Sequence, residues 1–311
     1  MYNLGIDIGG TNLRAGIMDK NGTIIMRIDK KIDRDKNVEK IVFDIEILIN
    51  SLLKQVNMSN NNLKSIGIGI PGIVKKNGLV NCINLGWDNI DFIGKLKEKM
   101  PLLDFIVEND ATAAALGEAL FGSMKGKSIS VMYTIGTGVG GGIIIDKKIY
   151  SGSHNRGSEI GHIVVGESFY DCNCGNNGCL ETFCSATAII EYVKKNIYEG
   201  HKTSIYDIVD GDLGKINAEM IFDEYRKNDD LSIEAVKRFI KFLSIGIAGV
   251  VNTLDPDIIS IGGGVSRSSD VFLPALREEV KMHIMYKDEE ICDIVCATLG
   301  SDAGIIGAAY L

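Results

Sequence analysis

The sequence predicts an α/β protein of two related lobes with a cleft between them, and three observations carry that prediction. The first is an internal repeat. Leu4 to Gly22 reads as strand, glycine turn, strand and Asn-Gly turn, and Ser130 to Lys148 repeats the grammar with strand, glycine turn, strand and charged turn. The second is that each unit is followed by a short apolar strand ending in small residues, Ile66-Gly-Ile-Gly-Ile-Pro-Gly in one and Ile258-Ile-Ser-Ile-Gly-Gly-Gly-Val in the other. The third is length: 311 residues suffice for two cores.

Taken in order, Asn21-Gly22 should turn the chain into a further strand over 23–28. Val38, Ile41, Val42, Ile45, Leu48, Leu52 and Val56 then recur at helix spacing. Phe105-Ile-Val reads as a strand entering a helix over Asn109–Phe121, and the lobes are expected to meet near Gly117–Gly126. Ser185 is placed to cap a helix running to Lys195, and Val236, Phe239, Ile240, Leu243, Ile247 and Val250 mark another core-facing helix. Residues 201–217 are polar, weakly patterned and expected to be loop-rich, whereas Asp302–Leu311 is helical in pattern and expected to return to the first lobe. The division that results is an N-terminal lobe of 1-117, with 297-311 packing back on it, and a C-terminal lobe of 118-296 carrying a cysteine-rich loop.

Composition narrows the function. Thirty-three basic against 41 acidic side chains give a net charge of -8, the wrong sign for wrapping a nucleic acid. No window approaches the roughly 20 apolar residues of a membrane span. A strand beginning by Tyr2 leaves no room for a signal peptide, so a cytoplasmic location is expected. Seven cysteines is an odd number, and three of them fall between positions 172 and 179, a spacing that suits a metal better than a disulfide framework.

Three glycine turns follow predicted strands: Gly9, Gly10, Thr11 and Asn12; Gly136, Thr137 and Gly138; and Gly263 and Gly264. Backbone N–H groups in such turns can approach phosphate closely, because glycine supplies the dihedral angles and lacks a side chain. Gly136–Gly141 formally fits G-x-G-x-x-G, but Ile143-Ile-Ile after it is a strand, whereas the dinucleotide fingerprint opens a helix. There is no P-loop motif either. Asp7, beside the first turn, can hold Mg2+ through water, or can bond only within the turn. Asp110 follows Glu108-Asn109 where a strand becomes a helix, so it is a candidate base or a simple cap. His162, Cys172, Cys174 and Cys179 match the ligand set of tetrahedral zinc, and four protein ligands leave no open position, so the metal is expected to be structural. Glu159, three residues before His162, and Glu181, two after Cys179, could accept hydrogen bonds from sugar hydroxyls or could be surface side chains. Trp87 is placed near the cleft or in ordinary packing, and Cys82, Cys184, Cys292 and Cys296 read as small core residues.

Together these residues resemble the ROK family of repressors, open reading frames and sugar kinases, on the actin-like, ribonuclease H-like ATPase fold. The resemblance spans nearly the whole chain: Asp7-Ile-Gly-Gly-Thr-Asn, Pro71-Gly-Ile-Val, Asn84-Leu-Gly-Trp, Glu108-Asn-Asp-Ala, Gly136-Thr-Gly-Val-Gly-Gly-Gly, Gly157-Ser-Glu-Ile-Gly-His, the Cys172–Glu181 segment and Gly262-Gly-Gly. It implies an ATP-dependent hexose kinase with Asp110 as catalytic base, and sugar contacts from Asn109, Glu159, His162 and Glu181, with Gly72 and Asn84 shaping the pocket. It also implies structural Zn2+ on His162 and the three cysteines, and ATP with Mg2+ at the Asp7 turn and the two later glycine turns. The Asn84-Leu-Gly-Trp and Glu159-Ile-Gly-His forms look most like glucokinases, which make glucose 6-phosphate. Relatives acting on N-acetylmannosamine, N-acetylglucosamine, fructose or allose share nearly all these residues. A homodimer is expected by the same resemblance. The rivals are a sugar-responsive ROK transcription regulator, which resembles this chain with a winged helix-turn-helix in front, and an actin-like ATPase without a sugar substrate. The strand at Tyr2 argues against the first and the Glu159–His162–Glu181 constellation against the second.

Overall fold

Residues 2–33 and 37–311 are described by a computed structural model of the chain. The repeat read from the sequence is present as two five-stranded sheets of matching order. In the first, β1 (Tyr2–Ile8), β2 (Asn12–Met18) and β3 (Ile24–Lys31) form an antiparallel meander. After α1 (Val38–Gln55), β4 (Leu63–Ile70) returns parallel to β1. A small antiparallel sheet follows, of β5 (Ile73–Val74), β6 (Val80–Cys82) and β7 (Trp87–Ile90). Then come α2 (Phe92–Lys99), β8 (Phe105–Asn109) parallel to β4, and α3 (Asp110–Phe121).

The second round runs through β9 (Ile129–Ile135), β10 (Val139–Ile145) and β11 (Lys148–Ile149) to α4 (Glu181–Cys184), α5 (Ala186–Tyr198), α6 (Ser204–Ile208), α7 (Ala218–Arg226) and α8 (Asp230–Leu254). It ends with β12 (Ile258–Gly262), α9 (Ser269–His283), β13 (Asp293–Cys296) and α10 (Ala303–Ala309). The orders β3-β2-β1-β4-β8 and β11-β10-β9-β12-β13 correspond strand for strand, so β1 and β9 occupy equivalent central places. β12 runs parallel to β9 as β4 does to β1.

By contact density the chain divides into Met1–Ser128, Gly142–Ser158 and Thr298–Leu311 as one unit, and Ile129–Gly141 and Glu159–Ala297 as the other. The sequence division had counted 118–128 and 142–158 with the second lobe. In the first unit, apolar residues alternating off β1, β2 and β4 meet the buried stripe Ile41, Ile45, Leu48, Leu52 of α1. The C-terminal α10 lies on the same sheet at unusually short range. A Cβ on Gly5 would sit 1.9 Å from Ile305 O, one on Gly67 1.7 Å from Ala308 O, and one on Gly307 1.6 Å from Ala113 O. The Ala/Gly-rich tail and the glycines of β1 and β4 are one packing device, because only hydrogen at these Cα atoms lets the backbones approach. In the second unit the core is aromatic: Phe239 meets Phe272 at 5.2 Å and Phe222 at 6.0 Å between ring centroids, both edge-on, each such pair adding roughly 1 kcal/mol beyond area burial.

The fold bears on three further expectations. The 201–217 segment is loop-rich as read, but it also holds a 3₁₀ turn at Leu213–Lys215 and α6, where Asp229 accepts from Thr203 Oγ1 and from the Ser204 N–H across 25 or more residues of sequence. Cys292 and Cys296 are half-buried rather than core, in contrast to Cys82 and Cys184. Of the two places open to Trp87, ordinary packing is the one found: it is 6% exposed, and its ring meets that of Phe92, tilted, at 5.0 Å between centroids.

Candidate active site

In the first unit the candidate residues gather at the C-terminal ends of parallel strands, where side chains and turn N–H groups are exposed beyond the sheet. Register places Asp7, Gly69 and Glu108 in one row across β1, β4 and β8, which sets the Asp7 and Glu108 backbones about 10 Å apart at the strand spacing. Asp7 is the penultimate residue of β1 and is nearly buried; its Oδ2 meets Arg14 Nη1 at 3.3 Å. Burial pushes its carboxyl above the usual carboxylate range, with Arg14 opposing. The turn after it is closed by the Gly9 N–H donating to Asn12 O at 2.8 Å, while Gly10 and Thr11 stay exposed.

Asn109 caps α3, its side chain accepting from the Thr112 N–H at 3.1 Å, and its Nδ2 donates to Gly72 O at 3.1 Å. The cap therefore ties the helix start to the Pro71-Gly72 turn. No larger residue fits at Gly72, where a Cβ would lie 2.3 Å from Asn81 O. Asp110 is the first residue of α3, and its Oδ1 accepts the Ala111 N–H at 2.8 Å, the geometry of a carboxylate held at a helix N-terminus. Burial raises the pKa of neighbouring Glu108, which accepts the Asn109 N–H at 2.8 Å. Asn84 sits on an exposed 3₁₀ turn, Ile83–Leu85, that Gly86 ends in a left-handed conformation.

In the second unit, the Gly136–Gly138 turn ends β9 and the Gly263–Gly264 turn ends its parallel neighbour β12. Gly263 has φ +84°, and a Cβ there would lie 2.3 Å from Ile135 O, so glycine is required on two counts. Glu159 opens a 3₁₀ turn, Ile160–His162, rather than lying on a longer helix; the three-residue pitch still sets its carboxylate 3.9 Å from His162 Nε2. Burial raises the Glu159 carboxyl pKa, with His162 opposing. Glu181 opens α4, and its Oε2 accepts the Val139 N–H at 2.9 Å.

The ligand atoms of His162, Cys172, Cys174 and Cys179 all lie within 4.8 Å of one another. His162 Nδ1 is 3.6 Å from Cys172 Sγ, and Cys174 Sγ is 3.5 Å from Cys179 Sγ. A tetrahedron with zinc bonds of about 2.3 Å to sulfur and 2.0 Å to nitrogen has edges of roughly 3.5–3.8 Å, so the cluster fits that ion. Burial, with the neighbouring Cys174 and Cys172 adding to it, pushes the Cys179 thiol up to about 12, a setting in which a thiolate needs a cation beside it. His162 turns its other nitrogen toward Glu159, the outer carboxylate that commonly orients a metal-bound imidazole.

Sequence reasoning passed over two features. Glu118, fully buried in α3, accepts from the Ser123 N–H at 2.6 Å and the Leu299 N–H at 2.7 Å, latching the end of α3 to the segment before α10. A lone carboxylate within Ala111–Phe121 was the available signal. The other is Arg238, whose guanidinium lies 4.5 Å from the Phe183 ring and 4.8 Å from that of Tyr192, a cation–π clamp beside the cysteine loop.

Two sheets of matching order with glycine turns at the ends of their central strands define the actin-like ATPase fold class. Residues 3–311 match the ROK family, and the chain belongs to it. It is 34% identical to a glucokinase of Thermotoga maritima over 311 residues, 99% of this chain and 96% of that protein. A ROK family glucokinase from Streptomyces griseus, solved with glucose and AMPPNP, is 28% identical with a TM-score of 0.83, covering 100% of this chain and 98% of that one. A xylose repressor of Bacillus spizizenii is 30% identical over 100% of this chain and 76% of its own length. No helix among the described residues is long and apolar enough to cross a membrane.

Proposed function

We propose that this protein transfers the γ-phosphoryl group of ATP to the 6-hydroxyl of glucose. The observation that carries the reading is the Glu108–Asn109–Asp110 junction, with a carboxylate held at a helix start, on a chain similar over 99% of its length to a glucokinase. Asp110 accepts the proton of the attacking hydroxyl as it moves in line onto the γ-phosphorus. The loose transition state of such transfers asks for orientation more than for a strong base. Asn109, Glu159, His162 and Glu181 hold the sugar hydroxyls, and Gly72 and Asn84 bound the pocket. The Asp7, Gly136–Gly138 and Gly263–Gly264 turns hold the nucleotide. Asp7 suits Mg2+ held through water, because Arg14 occupies its Oδ2 while its Oδ1 accepts no hydrogen bond among the described residues. That ion neutralises charge on the β- and γ-phosphates. Zinc on His162, Cys172, Cys174 and Cys179 fixes the loop between Glu159 and Glu181. A cytoplasmic homodimer completes the proposal.

The test is ADP release across a panel of glucose, N-acetylmannosamine, N-acetylglucosamine, fructose and allose. The proposal expects glucose to give the highest kcat/KM. The similarity to a xylose repressor favours a second reading, a sugar-responsive regulator, which predicts sugar binding without ADP release.

A further inference from the structure

The corner between α4 and α5 grips the Gly136–Val139 turn residue by residue. The Ala186 N–H donates to Gly136 O at 2.8 Å, Thr187 Oγ1 donates to Thr137 O at 2.8 Å, and Glu181 Oε2 accepts the Val139 N–H at 2.9 Å. Gly161, in the turn that carries His162, packs so closely that a Cβ there would lie 1.9 Å from Val139 O. The turn has little else to define it: its own bond is the Gly136 N–H to Gly138 O at 2.9 Å, and Thr137 is exposed.

These bonds fix peptide planes as well as positions. In a trans peptide the C=O and the N–H that follows it point in opposite directions. Drawing the Gly136 and Thr137 carbonyls toward α5 therefore turns the Thr137 and Gly138 N–H groups away from it. Among the described residues neither N–H meets a protein acceptor, whereas the Val139 N–H is already taken by Glu181. The outcome is two adjacent aimed donors, the arrangement that receives a phosphate oxygen.

We propose that the α4–α5 corner aims the Thr137 and Gly138 N–H groups at a nucleotide phosphate, with Thr187 as a positioning residue, so that the cysteine loop governs nucleotide affinity as well as sugar affinity. The proposal rests on the reading of Gly136–Gly138 as part of the nucleotide site. Glu181 is then shared: it follows the last cysteine of the loop and fixes the turn's fourth residue.

The experiment is calorimetric titration of wild type, Thr187→Val and Thr187→Ser with AMP-PNP–Mg2+ and, separately, with glucose, accompanied by KM values for both. Thr187→Val should weaken AMP-PNP binding and raise the ATP KM about three- to fivefold, the net worth of one hydrogen bond. Glucose affinity should stay at the wild-type value, and Thr187→Ser should restore nucleotide affinity. Protein stripped of metal and shown by circular dichroism to remain folded should lose AMP-PNP affinity in the same direction. Unchanged AMP-PNP affinity in Thr187→Val, or an equal loss for glucose, overturns the brace while leaving the kinase reading standing. A wild-type protein that binds no nucleotide overturns both.

Discussion

Replacing Asp7 with Asn separates what this carboxylate does for the fold from what it does for the reaction. Its side chain is 14% exposed, and its one protein partner among the described residues is Arg14 at 3.3 Å. Burial outweighs that partner, so the folded-state pKa lies above the ordinary 3.8. Between 3.8 and the raised value the folded protein keeps a proton that the unfolded chain has released, so stability falls as pH rises through that window. Above it the full cost of the buried charge is present. An Asn removes that cost, and Arg14 retains Asp29 as its cross-strand neighbour. Asp7→Asn should therefore be more stable than wild type at pH 7.5, by about 1 kcal/mol, the usual gain when a strained functional group is relieved. In a chain this long that is about 2 °C in Tm. Thermal unfolding of both proteins from pH 7.5 down to 4.5 should show the gap closing as wild-type Asp7 takes up its proton; the other carboxylates are common to both and cancel. ATP turnover should fall by about two orders of magnitude, because the carboxylate proposed to hold Mg2+ through water is lost. A variant less stable than wild type at pH 7.5, or a gap independent of pH, would refute the reasoning.

Two further outcomes follow from the geometry. Cys174→Ser removes one corner of the proposed zinc tetrahedron, so metal content by atomic spectroscopy should drop below one per chain and the glucose KM should rise at least tenfold; in wild type, metal should be released as pH falls and the thiolates protonate. Glu118→Ala strands the Ser123 and Leu299 N–H groups at a buried carboxylate site and should cost about 3 kcal/mol in denaturant titration, with Glu118→Gln losing less because its amide oxygen still accepts one of the two.

Much of this was legible in the sequence wherever the determinant is local. The hairpin of β1 and β2 and its later copy announce themselves by alternation and glycine turns, and the cysteine cluster by spacing within eight residues. The start of α3 was legible from Asn109 because a cap acts on the residue three positions on. What escaped depends on partners distant in the chain. Glu118 finds Leu299 across 181 positions, and Thr187 finds Thr137 across 50, so neither pattern shows in a window of sequence. α6 escaped because it is only five residues long, and its own Thr203 cap is reinforced by Asp229, 25 positions beyond Ser204. Cys292 and Cys296 look like core residues by neighbourhood, yet one precedes and the other ends β13, an edge strand, which leaves them half-exposed.

The most direct test of the central claim is single-turnover phosphoryl transfer from labelled ATP to glucose by wild type and by Asp110→Asn, alongside glucose binding by calorimetry. Wild type should form glucose 6-phosphate, and Asp110→Asn should bind glucose within about threefold of wild type while transfer falls by roughly three orders of magnitude. Transfer in Asp110→Asn within tenfold of wild type, or no sugar phosphate formed by wild type, would contradict the account.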